Sequence, residues 1–167
     1  MARPGRLQIE LAVVLAVVAL DQAVKALVRQ TLELHESVEV IPAWLNLTRV
    51  HNYGAAFGLM NAADFPMKTV VLSLVAALAL GALAWYGATL PAGQRLARAG
   101  LALMVGGAAG NLIDRLGSGY VVDFVDVHWR AWHFWAFNVA DAAITVGVSL
   151  MILDLLQIGR RRVSRAV

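Results

Sequence analysis

Residues 120–141 read YVVDFVDVHWRAWHFWAFNVAD. This segment places carboxylates beside sequence that is apolar enough to enter a lipid bilayer. An ionised Asp at membrane depth costs at least ~2.5 kcal/mol, so such a residue is by default a candidate for a functional site and needs a partner. We expect Asp123 and Asp141 to be partners of each other.

The composition is that of an integral membrane protein. The chain has 167 residues, of which 60% are hydrophobic and 15% charged, and its mean hydropathy is +0.68. This composition is more apolar than that of an ordinary soluble domain. Short connections join the apolar segments, which predicts one domain over residues 1–167.

Charge and cysteine content exclude several classes of function. The chain has no Cys, which rules out disulfides, Cys-ligated zinc and thiol catalysis. The net charge of +3 comes mostly from the ends and one loop, so the chain lacks the basic face of a nucleic-acid-binding protein. We therefore expect no nucleic acid partner.

Four apolar segments are about long enough to cross a bilayer as helices, at residues 7–28, 67–87, 99–115 and 137–157. The first could also be a signal peptide because basic residues precede it, but it is long enough to span and three further spans follow. The third carries Gly106 and Gly110, a pair of small residues that lets neighbouring helices approach closely. This helix is therefore expected at the centre of the bundle.

The connecting segments 29–66 and 116–136 are expected outside the membrane. β-branched and aromatic residues with partial alternation predict one or two strands in the first, ended by a turn at residues 52–54. Tyr120 to Trp129 reads as extended, which puts Asp123 and Asp126 on opposite faces. The predicted fold is a membrane all-α fold with four transmembrane helices and a short extramembrane, periplasmic β-sheet.

The distribution of basic residues predicts the orientation. Both ends and the loop between the second and third spans hold eight of the 14 Lys and Arg, which predicts that both termini are cytoplasmic. Polar residues from five segments then fall at the outer face: Asp21, Lys25, Asn52, Asn111, Asp114, Arg115, Asp123, Asn138 and Asp141. Glu10 and Asp154 are expected near the inner ends, solvated by headgroups.

Two of these polar groups allow more than one interpretation. Asp21 and Lys25 are four residues apart and can pair on one helix face. They are either a helix-end ion pair, with Lys25 extending to the interface, or part of a site. Asp114 precedes Arg115 and is expected to be an ion-pair or helix-end residue.

Two carboxylates a few ångströms apart share one proton over a wide pH range, so one acts as a base and the other as an acid. Such a pair can activate a water toward an amide carbonyl, as in aspartic proteases. A structural or proton-relay role, as in a transporter, is the alternative. The four His residues show no zinc-binding pattern, so we expect no metal site. Ser73 and Ser149 lie in apolar spans with no His nearby in the sequence, and Ser118 lies in a glycine turn, which disfavours a serine mechanism.

Five blocks of residues together resemble the bacterial lipoprotein signal peptidase (signal peptidase II) family. They are Asp21-Gln22-x-x-Lys25, Asn52-x-Gly54-x-Ala56-Phe57, Gly106-Gly107-Ala108-x-Gly110-Asn111-x-x-Asp114-Arg115, Val121-Val122-Asp123-Phe124 and Phe137-Asn138-x-Ala140-Asp141. The resemblance covers nearly the whole chain, from the first span to the fourth.

The resemblance implies an aspartic endopeptidase of the bacterial inner membrane. It would remove the signal peptide from prolipoproteins by cutting before the Cys that carries diacylglyceryl, without a metal or organic cofactor. Asp123 and Asp141 would be the catalytic pair. The substrate-binding or supporting residues would be Asn52, Gly54, Asn111, Asp114, Arg115, Asn138, Ala140, Asp21 and Lys25. The expected partners are prolipoprotein substrates and membrane lipids, and the expected state is a monomer.

Overall fold

The structure is a computed structural model and describes residues 5–54, 67–130 and 132–165, with side chains to residue 156. In chain order the elements are α1 (Arg6–Thr31), β1 (Ser37–Ile41), β2 (Leu45–Asn52), α2 (Lys68–Thr89), α3 (Arg95–Ser118), β3 (Val121–Trp129), β4 (Trp132–His133) and α4 (Val139–Arg165). The Ala56–Phe57 part of the second sequence block lies outside the described residues.

All four helices are long and apolar enough to cross a membrane. Together with the small sheet they confirm the predicted fold class. Each helix begins and ends within a few residues of a predicted apolar segment, except that α4 continues to Arg165. The assignment of the chain to one domain stays a prediction.

The central position predicted for the third span is confirmed, because α3 packs against α1, α2 and α4. Glycines allow this close packing. A Cβ added to Gly106 would lie 2.8 Å from the Cβ of Val17 in α1, and one added to Gly100 would lie 2.5 Å from the carbonyl oxygen of Gly147 in α4. Such distances leave no room for a side chain at either glycine.

The sheet is antiparallel, with strand order β1-β2-β3-β4. The pairing of β2 with β3 sets Asn52 opposite Val121 and Val50 opposite Asp123. The register shifts between Leu47 and Val50, as in a β-bulge. Asn52 and Asp123 thereby come to lie at the same end of the two paired strands.

The sheet is fastened to the end of α1 by polar and apolar contacts. Arg49, in the shifted part of β2, donates from Nη1 to the carbonyl oxygens of Arg29 (3.2 Å) and Leu32 (3.0 Å). These bonds satisfy carbonyls that the end of a helix leaves without an internal partner. Val122 and Phe124 of β3 form a buried cluster with Val28 and Leu32.

Glu10 has a protein partner that the sequence analysis did not predict, and its side chain is partly exposed. Arg98 of α3 donates to both Glu10 oxygens, at 2.6 and 2.9 Å, and also to the carbonyl oxygens of Gly87 and Leu90 at the end of α2. One guanidinium therefore joins α1, α2 and α3 at the end of the bundle away from the sheet. The sequence could not show this pairing, because the two residues lie 88 positions apart.

Candidate active site

Asn138 is hydrogen-bonded to both candidate catalytic acids. Its side-chain Nδ2 donates to Asp123 Oδ1 at 2.7 Å, and its backbone N–H donates to Asp141 Oδ2 at 3.2 Å. The Asp141 N–H donates in return to Asn138 Oδ1 at 3.0 Å. This reciprocal pair is a capping box, in which the residue before a helix and the third residue of that helix satisfy each other's backbone N–H groups.

Local backbone contacts bring the strand and the helix together. The N–H groups of Phe124 and Val125 both donate to the carbonyl oxygen of Phe137, at 3.0 and 2.8 Å. The start of α4 is therefore held against the middle of β3. Asp123 on the strand and Asp141 in the first turn of the helix then face the same small volume.

Each oxygen of the two carboxylates accepts one hydrogen bond from an asparagine. Asp123 Oδ2 accepts from Asn52 Nδ2 at 2.9 Å, and Asp141 Oδ1 accepts from Asn111 Nδ2 at 2.8 Å. Asn138 provides the other two bonds. Amides can donate to a carboxylate without adding a charge, so the pair is oriented while its net charge stays set by its own protons.

The environment of Asp123 favours its protonated form. The side chain is buried, with the residue 2% exposed. Burial, with the nearby charge of Asp141 adding to it, raises the pKa of Asp123 to about 7, although the hydrogen bonds from Asn52 and Asn138 and the charge of Lys25 act in the opposite direction. A carboxyl group with this pKa can hold or release a proton near neutral pH.

Lys25 lies behind the pair in a buried ion cluster. Its Nζ is 2.8 Å from Asp21 Oδ2, 2.9 Å from Asp114 Oδ2 and 2.9 Å from Asn111 Oδ1, and its side chain is 0% exposed. The alternative in which Lys25 extends to the interface is therefore wrong. The pairing of Asp21 with Lys25 is confirmed, and it faces the site.

Asp114 forms ion pairs, as expected, but its partners do not include the adjacent residue Arg115. Its carboxylate pairs with Lys25 and with Arg29, whose Nη2 lies 3.0 Å from Oδ1, and it accepts the N–H of Val122 at 3.3 Å. The last bond ties α3 to the strand residue beside Asp123. Asp114 thus holds three elements of the fold together.

Ala140 and Gly110 occupy the place where α1, α3 and α4 meet. The Ala140 N–H donates to Asp21 Oδ1 at 3.0 Å, and Ala140 is 0% exposed. A Cβ on Gly110 would lie 2.7 Å from Asp21 Oδ2 and 3.5 Å from the Cβ of Ala140. Small side chains are therefore needed at both positions.

Arg115 and Gly54 lie at the other side of the pair. Arg115 donates from Nη2 to the Gly54 carbonyl oxygen at 2.9 Å, and the Gly54 N–H donates to Asn52 Oδ1 at 2.9 Å. Asn52 in turn donates to Asp123. Arg115 is close enough to both acids to interact with them electrostatically.

The structure brings together all eleven residues that the sequence assigned to the site, and it adds two that the sequence analysis gave no role. Gln22 donates to the Gly110 carbonyl oxygen at 3.1 Å and to Asp114 Oδ1 at 3.3 Å. Arg29 pairs with Asp114. Two sequence features could have pointed to them. Gln22 belongs to the Asp21-Gln22-x-x-Lys25 block, and Arg29 lies four residues after Lys25 on the same helix face.

Asp126 lies apart from this group. Its carboxylate accepts from Asn46 Nδ2 at 3.2 Å and lies 3.0 Å from His133 Nδ1. This confirms that Asp123 and Asp126 face opposite sides of β3. Within residues 5–54, 67–130 and 132–165, no three His, Asp or Glu side chains are arranged to hold a metal ion.

Comparisons with known proteins agree on one family. A family model described as "Signal peptidase (SPase) II" matches residues 13–157. A protein of Geobacter sulfurreducens named lipoprotein signal peptidase is 46% identical over 151 residues, which cover 90% of this chain and 93% of that protein. One of the same name from Symbiobacterium thermophilum is 42% identical and covers 90% and 97%.

Solved structures of bacterial membrane enzymes have the same fold. One has a TM-score of 0.79 and 30% identity and covers 94% of this chain and 93% of its own. A second has a TM-score of 0.79 and 29% identity and covers 93% and 97%. The agreement of sequence, fold and site over nearly the full length shows that the chain belongs to the signal peptidase (SPase) II family.

Proposed function

We propose that Asp123 and Asp141 are the catalytic pair of a membrane aspartic endopeptidase that removes the signal peptide from prolipoproteins, cutting before the Cys that carries diacylglyceryl. The observation that carries the proposal is the position of Asn138, which donates one hydrogen bond to each carboxylate, at 2.7 and 3.2 Å. It fixes the two acids relative to each other, as a two-carboxylate mechanism requires.

The two acids take complementary roles in this mechanism. Near neutral pH the pair carries one proton, because the pKa of Asp123 is raised to about 7 by burial and by the charge of Asp141. The ionised carboxylate removes a proton from a water as that water adds to the scissile carbonyl carbon. The protonated carboxyl donates its proton to the carbonyl oxygen. When the tetrahedral intermediate collapses, the protonated carboxyl gives its proton to the leaving nitrogen and the C–N bond breaks. The ionised carboxylate takes the proton of one hydroxyl as the carbonyl re-forms, so the pair again carries one proton.

The surrounding amides suit a pair of catalytic acids. Asn52, Asn111 and Asn138 each donate from Nδ2 to one of the two carboxylates, so they orient the acids toward a substrate without adding a charge. The acyl chains on the modified Cys stay in the bilayer, so the scissile bond has to lie near a membrane surface. Asn111 and Asp141 lie near those ends of α3 and α4 that meet the sheet.

The finer features of localisation and assembly belong to the same proposal. The family places the chain in the bacterial inner membrane. We propose that both termini are cytoplasmic, that the site lies near the periplasmic face, and that the chain works as a monomer and a single integral membrane domain. We further propose that membrane lipids contact it and that it binds no nucleic acid. A proton-relay transporter is less well supported, because α2 carries no charged residue after Lys68.

Asp→Asn substitutions test the catalytic pair, since Asn keeps the size of Asp and removes its exchangeable proton. Purified Asp123→Asn and Asp141→Asn variants should each lose at least ~99% of cleavage of a diacylglyceryl-modified prolipoprotein, with no energy source added. The double variant should be no slower than either single one, because the acids act as a unit. Asp126→Asn is the matched control and should keep substantial activity.

Thermal unfolding of each variant shows whether it is folded. A well-folded Asp123→Asn or Asp141→Asn variant that keeps a tenth or more of the wild-type rate, about 1.4 kcal/mol in the barrier, would exclude the assignment. The same assay decides against a transporter, because a product of lower mass forms only if a bond is cut.

A further inference from the structure

A groove of about 320 Å³ runs between α2 and α3. We call it the α2–α3 groove. Five residues of α2 between Thr69 and Ala77 and three residues of α3 between Leu112 and Leu116 line it. Its walls are mostly apolar, and its charged residue is Arg115. The proposed mechanism does not use this groove.

Arg115 connects the groove to the catalytic pair. The same guanidinium that lines the groove donates to the Gly54 carbonyl oxygen at 2.9 Å and interacts electrostatically with Asp123 and Asp141. The hydroxyl of Thr69, at the same end, donates to the Gly119 carbonyl oxygen at 3.3 Å. The polar end of the groove therefore lies at the site, and the apolar end points away from it.

The groove has the direction and length of a lipid chain. From Thr69 to Ala77 the helix advances eight residues, or about 12 Å. A bilayer has a hydrocarbon core about 30 Å thick, so this distance is most of one leaflet. A chain that enters beside Arg115 and follows α2 would stay in the leaflet in which the site lies.

The polar end of the groove decides between the two apolar parts of the substrate. An acyl chain is joined to an ester, whose oxygens can accept hydrogen bonds from a guanidinium, whereas a signal-peptide helix uses most of its backbone carbonyl oxygens for its own hydrogen bonds. A groove whose charged residue is Arg115 therefore suits an acyl chain better than a helix.

We propose that the α2–α3 groove binds an acyl chain of the substrate's diacylglyceryl group, with the ester oxygens of that group at Arg115. The inference rests on the proposed function and names the part of the substrate that this surface recognises. Arg115 has five N–H donors, and its hydrogen bonds within the described part of the chain involve two of its nitrogens. Further donors can therefore face an ester carbonyl.

The groove contributes by positioning the substrate, and the burial of the acyl chain contributes little binding energy. Lipid tails are as apolar as leucine side chains, so a chain that moves from the bilayer into the groove gains little from the hydrophobic effect. Its position, however, fixes the modified Cys and therefore the scissile bond. A small misplacement of a reacting group slows an enzyme strongly.

A matched pair of substitutions on α2 tests this. Ala77 lines the groove and Ala79 does not, and both are exposed. Ala77→Phe should fill the groove, whereas Ala79→Phe adds the same bulk elsewhere on α2. The substrates are two prolipoprotein peptides that differ only in their acyl chains, palmitoyl in one and butyryl in the other. With the palmitoyl substrate, Ala77→Phe should lower kcat/KM about tenfold, and with the butyryl substrate it should act like the wild type.

Each outcome gives a decision. Equal rates for Ala77→Phe and Ala79→Phe with the palmitoyl substrate overturn the proposal. Equal losses with both substrates also overturn it, because the groove would then hold a membrane phospholipid or support the fold. If the wild type cleaves neither substrate, the proposed function fails instead. The two substrates partition differently into detergent. This difference does not affect the result, because the variants are compared with one another on the same substrate.

Photo-cross-linking gives an answer even if Ala77→Phe does not fold. Asp141→Asn protein, which should bind substrate without cleaving it, is mixed with substrate that carries a diazirine in one acyl chain. After irradiation, mass spectrometry should find the label on residues 69–77 or 112–116. Labelling confined to other helices would overturn the proposal.

Discussion

Lys25 Nζ lies 2.9 Å from Oδ1 of Asn111, and both residues are buried. An ammonium group can only donate, so it fixes Oδ1 on its own side and turns Nδ2 of the same amide toward Asp141, at 2.8 Å. Lys25 therefore positions a group that holds a candidate catalytic acid, although it does not touch that acid itself.

Replacement of Lys25 by Met should lower both stability and activity. Asp21 and Asp114 would remain buried without this cation, and breaking a buried ion pair by removing one partner costs about 3–5 kcal/mol. Unfolding of the purified protein in detergent, with and without Asp21→Asn in the same chain, measures this. The double variant should recover part of the loss. If Lys25→Met unfolds at the wild-type temperature, the ion cluster is not needed for the fold.

The raised pKa of Asp123 predicts how stability depends on pH. Burial and the charge of Asp141 raise it from 3.8 to about 7, so between these values the folded state holds a proton that the unfolded state has lost. The ionised form destabilises the fold above pH 7, and this penalty falls as the pH drops toward 4. Asp123→Asn should thus be more stable than the wild type at pH 8. The difference should shrink by roughly 1.4 kcal/mol per pH unit below 7.

Activity should also fall at high pH. When the pH rises through about 7, the pair loses the proton it has to donate, and kcat/KM should fall. The measurement is a pH profile of cleavage, with Asp126→Asn as the control that should keep the wild-type profile. A rate that stays level to pH 9 would contradict a shared proton.

Two glycines of α3 should respond in opposite ways to the same change. A Cβ on Gly110 would lie 2.7 Å from Asp21 Oδ2, whereas one on Gly117 would have nothing within 4 Å. Gly110→Ala should therefore destabilise the protein by about 1–3 kcal/mol, as overpacking does. Gly117→Ala should stabilise it by about 0.4–1 kcal/mol, because Ala restricts the unfolded chain. Equal unfolding temperatures for the two variants would contradict the close packing around Asp21.

Single cysteines introduced into the cysteine-free chain test the orientation. Positions 37 and 118 should react with a membrane-impermeant thiol reagent in intact cells, and position 93 should react only after the cells are opened. Position 37 lies at the start of β1 and position 118 at the end of α3. Labelling of 93 but not 118 in intact cells would place the site on the cytoplasmic side.

Local patterns predicted those features that depend on residues close together in the sequence. The i, i+4 spacing indicated that Asp21 and Lys25 can pair, and the period of two in β3 separated Asp123 from Asp126. The spacing of Asn138 and Asp141 put them on one face of the first turn, although the capping box itself was missed.

Contacts between distant elements could not be read from the sequence. The partner of Asp114 depends on how α1 lies against α3, which places Lys25 and Arg29, rather than Arg115, beside its carboxylate. In the same way the partner of Asp123 depends on the register shift in β2, which brings Asn52 to it. Helix packing and strand register are set by the whole fold, and no short motif encodes them.

The capping box at the start of α4 gives Asn138 and Asp141 two duties each. They satisfy the backbone N–H groups of that turn, and they also form part of the proposed site. A substitution that removes the accepting side-chain oxygen at either position should therefore affect both the start of the last helix and the way the acids are held. Selection for a well-inserted helix and selection for peptidase activity therefore act on the same two side chains. A mutation there that alters one of these traits also alters the other.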